Sequence, residues 1–226
     1  MFYYFRNIAF ITVLSLLIPS FAYSDQRDTS NKAEKATLLI LGDSLSAAYG
    51  LRQQEGWVSL LQNKWHNESI PIDVINAAVS GETTDGGLAR LPRLLEQHEP
   101  SHVLIELGGN DGLQGHNIKK IRKNLSSLVE VAKSAGAEVF IQEMQIPTNY
   151  GRRYTHLFTE SFSEIAEQHD IKEIPFFLAE IALDPSLMQA DGIHPNATAQ
   201  PMIADFMFIR LTPLITPSSE NMLGSK

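Results

Sequence analysis

Gly42-Asp43-Ser44-Leu45 directly follows the apolar run Thr37–Leu41, and Ser80-Gly81-Glu82-Thr83 lies just after a second run, Ile72–Asn76. Gly108-Gly109-Asn110-Asp111 closes a third run, Val103–Leu107, and Asp191-Gly192-Ile193-His194-Pro195 occupies a late loop. A serine, a histidine and an aspartate are the parts of a nucleophilic triad. A serine hydroxyl is a weak nucleophile at neutral pH until an adjacent base takes its proton. In that scheme Ser44 attacks an acyl carbonyl, and His194 takes the proton and returns it to the leaving group. Asp191 fixes the imidazole tautomer. The candidate oxyanion donors are the backbone N–H groups of Ser44 and Gly81 and the side-chain amide of Asn110. Gly81 has no Cβ, so a substrate oxygen can come close. Each stretch alone is ordinary turn chemistry. Their order along the chain makes the set informative. Asp43 adjoins the nucleophile, but Asp191 lies closer in sequence to a histidine, so Asp43 is read as structural or near the substrate.

These side chains need a scaffold that brings them to one rim. Short continuous apolar runs suit strands buried on both faces of a parallel sheet. The candidates are 37–41, 72–76, 103–107, 138–141 and, weakened by Pro175, 174–178. Helical patterns lie between and after them at 83–97, 117–135, 154–169 and 199–211. In the clearest, Ile118, Ile121, Leu125, Leu128, Val129 and Ala132 recur three or four apart. Lys119, Lys120, Arg122 and Lys123 are expected on its solvated face. Strands alternating with helices predict an α/β fold, a single domain with a mostly parallel sheet covered on both sides. Ligands of such sheets bind outside the carboxyl ends of the strands, where three of the four stretches fall.

Composition narrows the chemistry further. The 226 residues include no cysteine, which removes thiolate metal sites, disulfides and cysteine nucleophiles. A formal charge of −8 argues against nucleic acid as a partner. His66, His98, His102, His116, His156 and His169 are scattered, without paired i, i+4 spacing on one helix, and no metal or cofactor is expected. There is no G-x-S-x-G elbow, H-E-x-x-H pair or phosphate-binding glycine loop.

The first residues read as a leader. Arg6 precedes the apolar run Ile8–Ile18, then Pro19-Ser20 and small residues at Ala22 and Ser24. Eleven helical residues would span only about 16 Å, against a hydrocarbon core of about 30 Å. Cleavage after Ala22 or after Ser24 fits equally well. The expected organisation is a signal peptide at 1–24, a flexible lead-in at 25–36, one domain at 37–214 and a tail at 215–226. A periplasmic or secreted protein is expected, with no stable membrane anchor after cleavage and a monomer as the default.

As a set, Gly42-Asp43-Ser44-Leu45, Gly81, Asn110 and Asp191-Gly192-Ile193-His194 resemble the four blocks of the SGNH (GDSL) hydrolase superfamily. Ile146–Arg153, Pro175-Phe176-Phe177 and Asp191–Asn196 further resemble its periplasmic lysophospholipase and arylesterase branch. The likeness runs from about Thr37 to Leu214. It implies a three-layer α/β/α sandwich of flavodoxin-like kind. It also implies hydrolysis of aryl esters, acyl thioesters and lysophospholipids through an acyl-serine, with small acyl esters or thioesters as the partners. Leu113, Met144, Ile146, Phe176 and Phe177 match the acyl-binding side. Gly112 and Gly115 flank a loop expected to move when substrate binds. The rival expectation on the same fold is a carbohydrate O-acetyl esterase; a non-catalytic binding protein is disfavoured by the complete set.

Overall fold

The computed structural model describes residues 1–2 and 35–216. The expected leader, most of the lead-in and the tail after residue 216 lie outside the described residues.

Leu38, Leu39, Ile40 and Leu41 are fully buried in the first strand, β1 (Ala36–Gly42), as a strand covered on both faces requires. The others are β2 (Ile72–Asn76), β3 (His102–Glu106), β4 (Glu138–Gln142) and β5 (Lys172–Ile174). All pair in parallel, in the order β2-β1-β3-β4-β5. The helices are α1 (Trp57–Asn67), α2 (Thr84–His98), α3 (Gly109–Leu113), α4 (Ile118–Ser134), α5 (Arg152–His169) and α6 (Gln200–Ile215).

Right-handed crossovers decide which helix covers which face. The step from β1 to β2 runs one way across the sheet, and every later step runs the other way. So α1 takes one face and α2, α4 and α5 take the opposite one. The packing agrees: α1 lies against α6, α2 against α4, and α4 against α5. This is the expected α/β/α sandwich. Its strand order reverses at β1, so the carboxyl ends of β1 and β3 part there and open a crevice.

Four local expectations change. The fifth strand is Lys172–Ile174 rather than 174–178, because Pro175 has no N–H to give a ladder. Gln142 caps its end by donating to the carbonyls of Ile174 and Pro175. The last helix continues past Leu211 to Ile215 despite Pro213, since Leu211 and Ile215 extend one buried face. Lys119, Lys120 and Lys123 are exposed as expected. Arg122 instead bridges to α5, donating to Ser161 Oγ and the Leu157 carbonyl and pairing with Glu164. Finally, α1 was not anticipated from the sequence, although Trp57, Leu61 and Trp65 recur four apart and are fully buried.

Candidate active site

Chain direction delivers the first two groups. Ser44 follows β1 and Asn110 lies in the first turn of α3, just beyond β3, so adjacent central strands carry them to the crevice. Gly81 arrives from the turn between β2 and α2, and the Asp191–His194 loop precedes α6.

Ser44 Oγ lies 2.8 Å from His194 Nε2, and His194 Nδ1 lies 2.7 Å from Asp191 Oδ2. With the ring proton on Nδ1 donated to the carboxylate, Nε2 is left to accept the serine proton. Asp191 Oδ1 also accepts the N–H groups of Ile193 and His194, so one carboxylate fixes both the ring and the turn beneath it. Burial would raise the Asp191 carboxyl, but these bonds and the histidine ring outweigh it and pull it down to about 2. It is therefore ionised wherever the imidazole works.

The three expected oxyanion donors stand differently. Ser44 and Gly81 line the cavity, and neither N–H has an acceptor among the described residues. Asn110 also lines it, but its Nδ2 already donates to Asp43 Oδ2 at 3.0 Å and to the Glu82 carbonyl at 2.9 Å. Gly81 has φ +80, and a Cβ there would meet nothing within 4 Å. Backbone conformation, more than crowding by the protein, is what calls for glycine.

Beside these groups opens a cavity of about 560 Å³. Leu113, Met144, Ile146 and Phe176 line it, as the sequence led us to expect, together with Leu178 and Met188, which were not anticipated. Phe177 does not line it: that side chain is 3% exposed and packs against Trp57 in the core. The two rings stack with centroids 6.0 Å apart, Phe176 on the cavity side and Phe177 on the core side. The segment flanked by Gly112 and Gly115 is the end of α3 and the turn that follows it. Gly112 lies inside α3, where a Cβ would lie 2.8 Å from both Ile146 Cγ2 and Phe158 Cε2.

Three further residues shape the site without any sequence pattern of their own. The Tyr49 ring lies 4.3 Å from the His194 ring, tilted by 34°. Gln189 Nε2 donates to the carbonyls of Tyr49 and Pro195, while its backbone N–H donates to the His194 carbonyl. One side chain thus joins the turn after β1 to the histidine loop. Under Ser44, fully buried Glu106 accepts from Ser46 Oγ and from the Asp43 N–H. Its only signal in the sequence is an acid within an apolar strand.

Residues 40–200 match the GDSL-like lipase/acylhydrolase family. The chain belongs to that family. This GDSL hydrolase is 46% identical over 191 residues to thioesterase 1/protease 1/lysophospholipase L1 of Escherichia coli, covering 84% of this chain and 90% of the relative. It is 43% identical to an arylesterase of Vibrio mimicus, over 87% of this chain and 96% of that one. Among solved structures, the psychrotrophic esterase EstA of a Pseudoalteromonas species, inhibited by monoethylphosphonate, superposes with a TM-score of 0.78. That pair is 52% identical, with 79% of this chain and 97% of the other covered. The chemistry of this GDSL hydrolase is cleavage of ester bonds.

Proposed function

We propose that this enzyme hydrolyses carboxylic esters and thioesters of medium to long acyl chains through an acyl-Ser44 intermediate. His194 acts as general base and then general acid, and Asp191 orients and stabilises the imidazole. The observation that carries this reading is Ser44 Oγ, 2.8 Å from His194 Nε2, at the mouth of a cavity walled by Leu113, Met144, Ile146 and Phe176. The carbonyl oxygen turns toward the free N–H groups of Ser44 and Gly81 as it gains charge, and Asn110 contributes once its amide shares a hydrogen. Each such donor is worth roughly 2.7–4 kcal/mol in the transition state.

An apolar wall beside a polar rim suits an acyl tail better than a sugar ring. The names of the thioesterase, lysophospholipase and arylesterase relatives support aryl esters, acyl thioesters and lysophospholipids as the substrate class. Export with removal of residues 1–24 belongs to the same reading and rests on the leader-like N-terminus. N-terminal sequencing of the secreted protein tests that part.

The decisive experiment joins two measurements. Mass spectrometry after an organophosphonate probe should place the adduct on Ser44. A p-nitrophenyl ester series should show kcat/KM rising from acetyl toward medium chains. An adduct elsewhere, or a preference for acetylated sugars, overturns the assignment.

A further inference from the structure

An amide has two ends of nearly the same shape, and only the nitrogen end of Asn110 can serve an oxyanion. Two acceptors choose that end: Asp43 Oδ2 and the Glu82 carbonyl. A carbonyl cannot donate, and neither can an ionised carboxylate, so the nitrogen must face them. Asp43 is itself fixed on every side. Its Oδ1 accepts the Leu45 N–H at 3.0 Å, and its own N–H donates to Glu106 Oε2 at 3.2 Å. Ser46 Oγ donates to the same Glu106 oxygen at 2.6 Å. A Cβ on Gly42 would fall 2.5 Å from that oxygen, so the turn carrying Ser44 is folded directly onto the Glu106 carboxyl.

Glu106 is fully buried, and its second oxygen, Oε1, has no hydrogen-bond partner among the described residues. An unpaired charged oxygen at such a place is costly, and a neutral acid lowers the cost. Burial, and next the charge of Asp43, push the Glu106 carboxyl well above its ordinary range. Burial also pushes Asp43 up to about 6, opposed by the Leu45 N–H, a hydrogen bond with Glu106 and the His194 ring, with Asp111 adding to the rise. Two buried carboxyls that repel one another ionise one at a time.

We propose that Asp43 and Glu106 form a one-proton carboxyl pair that aims the oxyanion donor. Neutral Glu106 anchors the turn bearing Ser44, and ionised Asp43 fixes the orientation of the Asn110 amide, so that its nitrogen rather than its oxygen is available for an oxyanion to share. Both are positioning residues for the ester hydrolysis proposed above, and the inference rests on that reading.

A double-mutant cycle tests it, using Asp43→Asn, Asn110→Ala and the combined variant, with kcat expressed per phosphonate-titrated Ser44. An asparagine at 43 that still accepts the Leu45 N–H turns its own NH2 toward Asn110, and the Asn110 amide must flip. We expect D43N to lower kcat by about 10²-fold with KM little changed. In the N110A background the same change should cost less than about threefold. Additive costs, or a D43N kcat within twofold of wild type, overturn the proposal. If D43N does not fold, Glu106→Gln and Glu106→Leu decide. Glutamine keeps a neutral acceptor and should hold kcat within about threefold, whereas leucine should lose tenfold or more. Equal losses in both overturn the pair's role. Wild-type turnover with Ser44 labelled leaves the hydrolase reading standing whichever way these variants behave; an unlabelled Ser44 overturns both.

Discussion

His194 Nε2 sits 2.8 Å from Ser44 Oγ although 150 residues separate the two in the chain. The sheet brings one of them and a late loop brings the other. Ser44→Ala and His194→Ala should each lower kcat on p-nitrophenyl butyrate by at least about 10³-fold, as removal of a triad member does where the rest of the site persists. Far-UV circular dichroism should be unchanged. Full turnover in S44A would show that another nucleophile does the chemistry.

Asp191→Asn should reduce kcat by roughly 10²–10⁴-fold with little effect on KM, because the amide can favour the wrong imidazole tautomer. The wild-type carboxyl sits at about 2, below its unfolded value. A depressed carboxylate adds stability that is complete above the ordinary carboxylate range and is lost as pH falls toward the folded value. The Asp191 contribution should therefore vanish between about pH 4 and pH 2. A carboxyl NMR titration showing Asp191 protonating near pH 5 would contradict this.

Glu106 predicts the opposite slope. Its carboxyl is raised by burial and by Asp43, so the folded state binds a proton that the unfolded state releases. Stability from this group is complete below the ordinary carboxylate range and declines as pH rises. Glu106→Gln removes the titration. Its Tm should fall less than that of wild type as pH rises above the ordinary carboxylate range, and parallel curves would refute the claim.

Phe176→Ala and Phe177→Ala should separate recognition from packing. Phe176 lines the cavity, so its loss should shift chain-length preference with a modest change in Tm. Phe177 is buried against Trp57, and its truncation should cost about 3–5 kcal/mol in urea unfolding. The reverse ranking would mean that the two rings have been assigned to the wrong sides.

Gly112→Ala should destabilise by about 1–3 kcal/mol, because the added methyl meets Ile146 and Phe158. At Gly115 the same methyl meets nothing, and only φ +68 opposes it. The Gly115→Ala cost should be nearer 1 kcal/mol. Equal melting temperatures would show that α3 is not packed as described.

The architecture was readable because parallel sheets bury whole apolar runs: 37–41, 72–76, 103–107 and 138–141 all fall on observed strands. The nearness of Ser44, Asp191 and His194 was readable because strand ends and a late loop share one rim. What was not readable depends on single contacts across the chain. Nothing near Gln189 announces that its amide reaches the Tyr49 carbonyl, and nothing near Phe177 says which phenylalanine turns inward. Pro175 did carry its signal, but its effect was to end a strand just formed, not to weaken one beginning.

The Gln189 clasp has a consequence for heat. The turn after β1 and the histidine loop are joined through hydrogen bonds from one side-chain amide at the surface, while the strands beneath are locked by a buried apolar core. Surface segments of this kind open at lower free energy than a buried sheet. Warming should therefore silence the enzyme several degrees before its secondary structure melts, and cooling after brief exposure should restore the lost turnover.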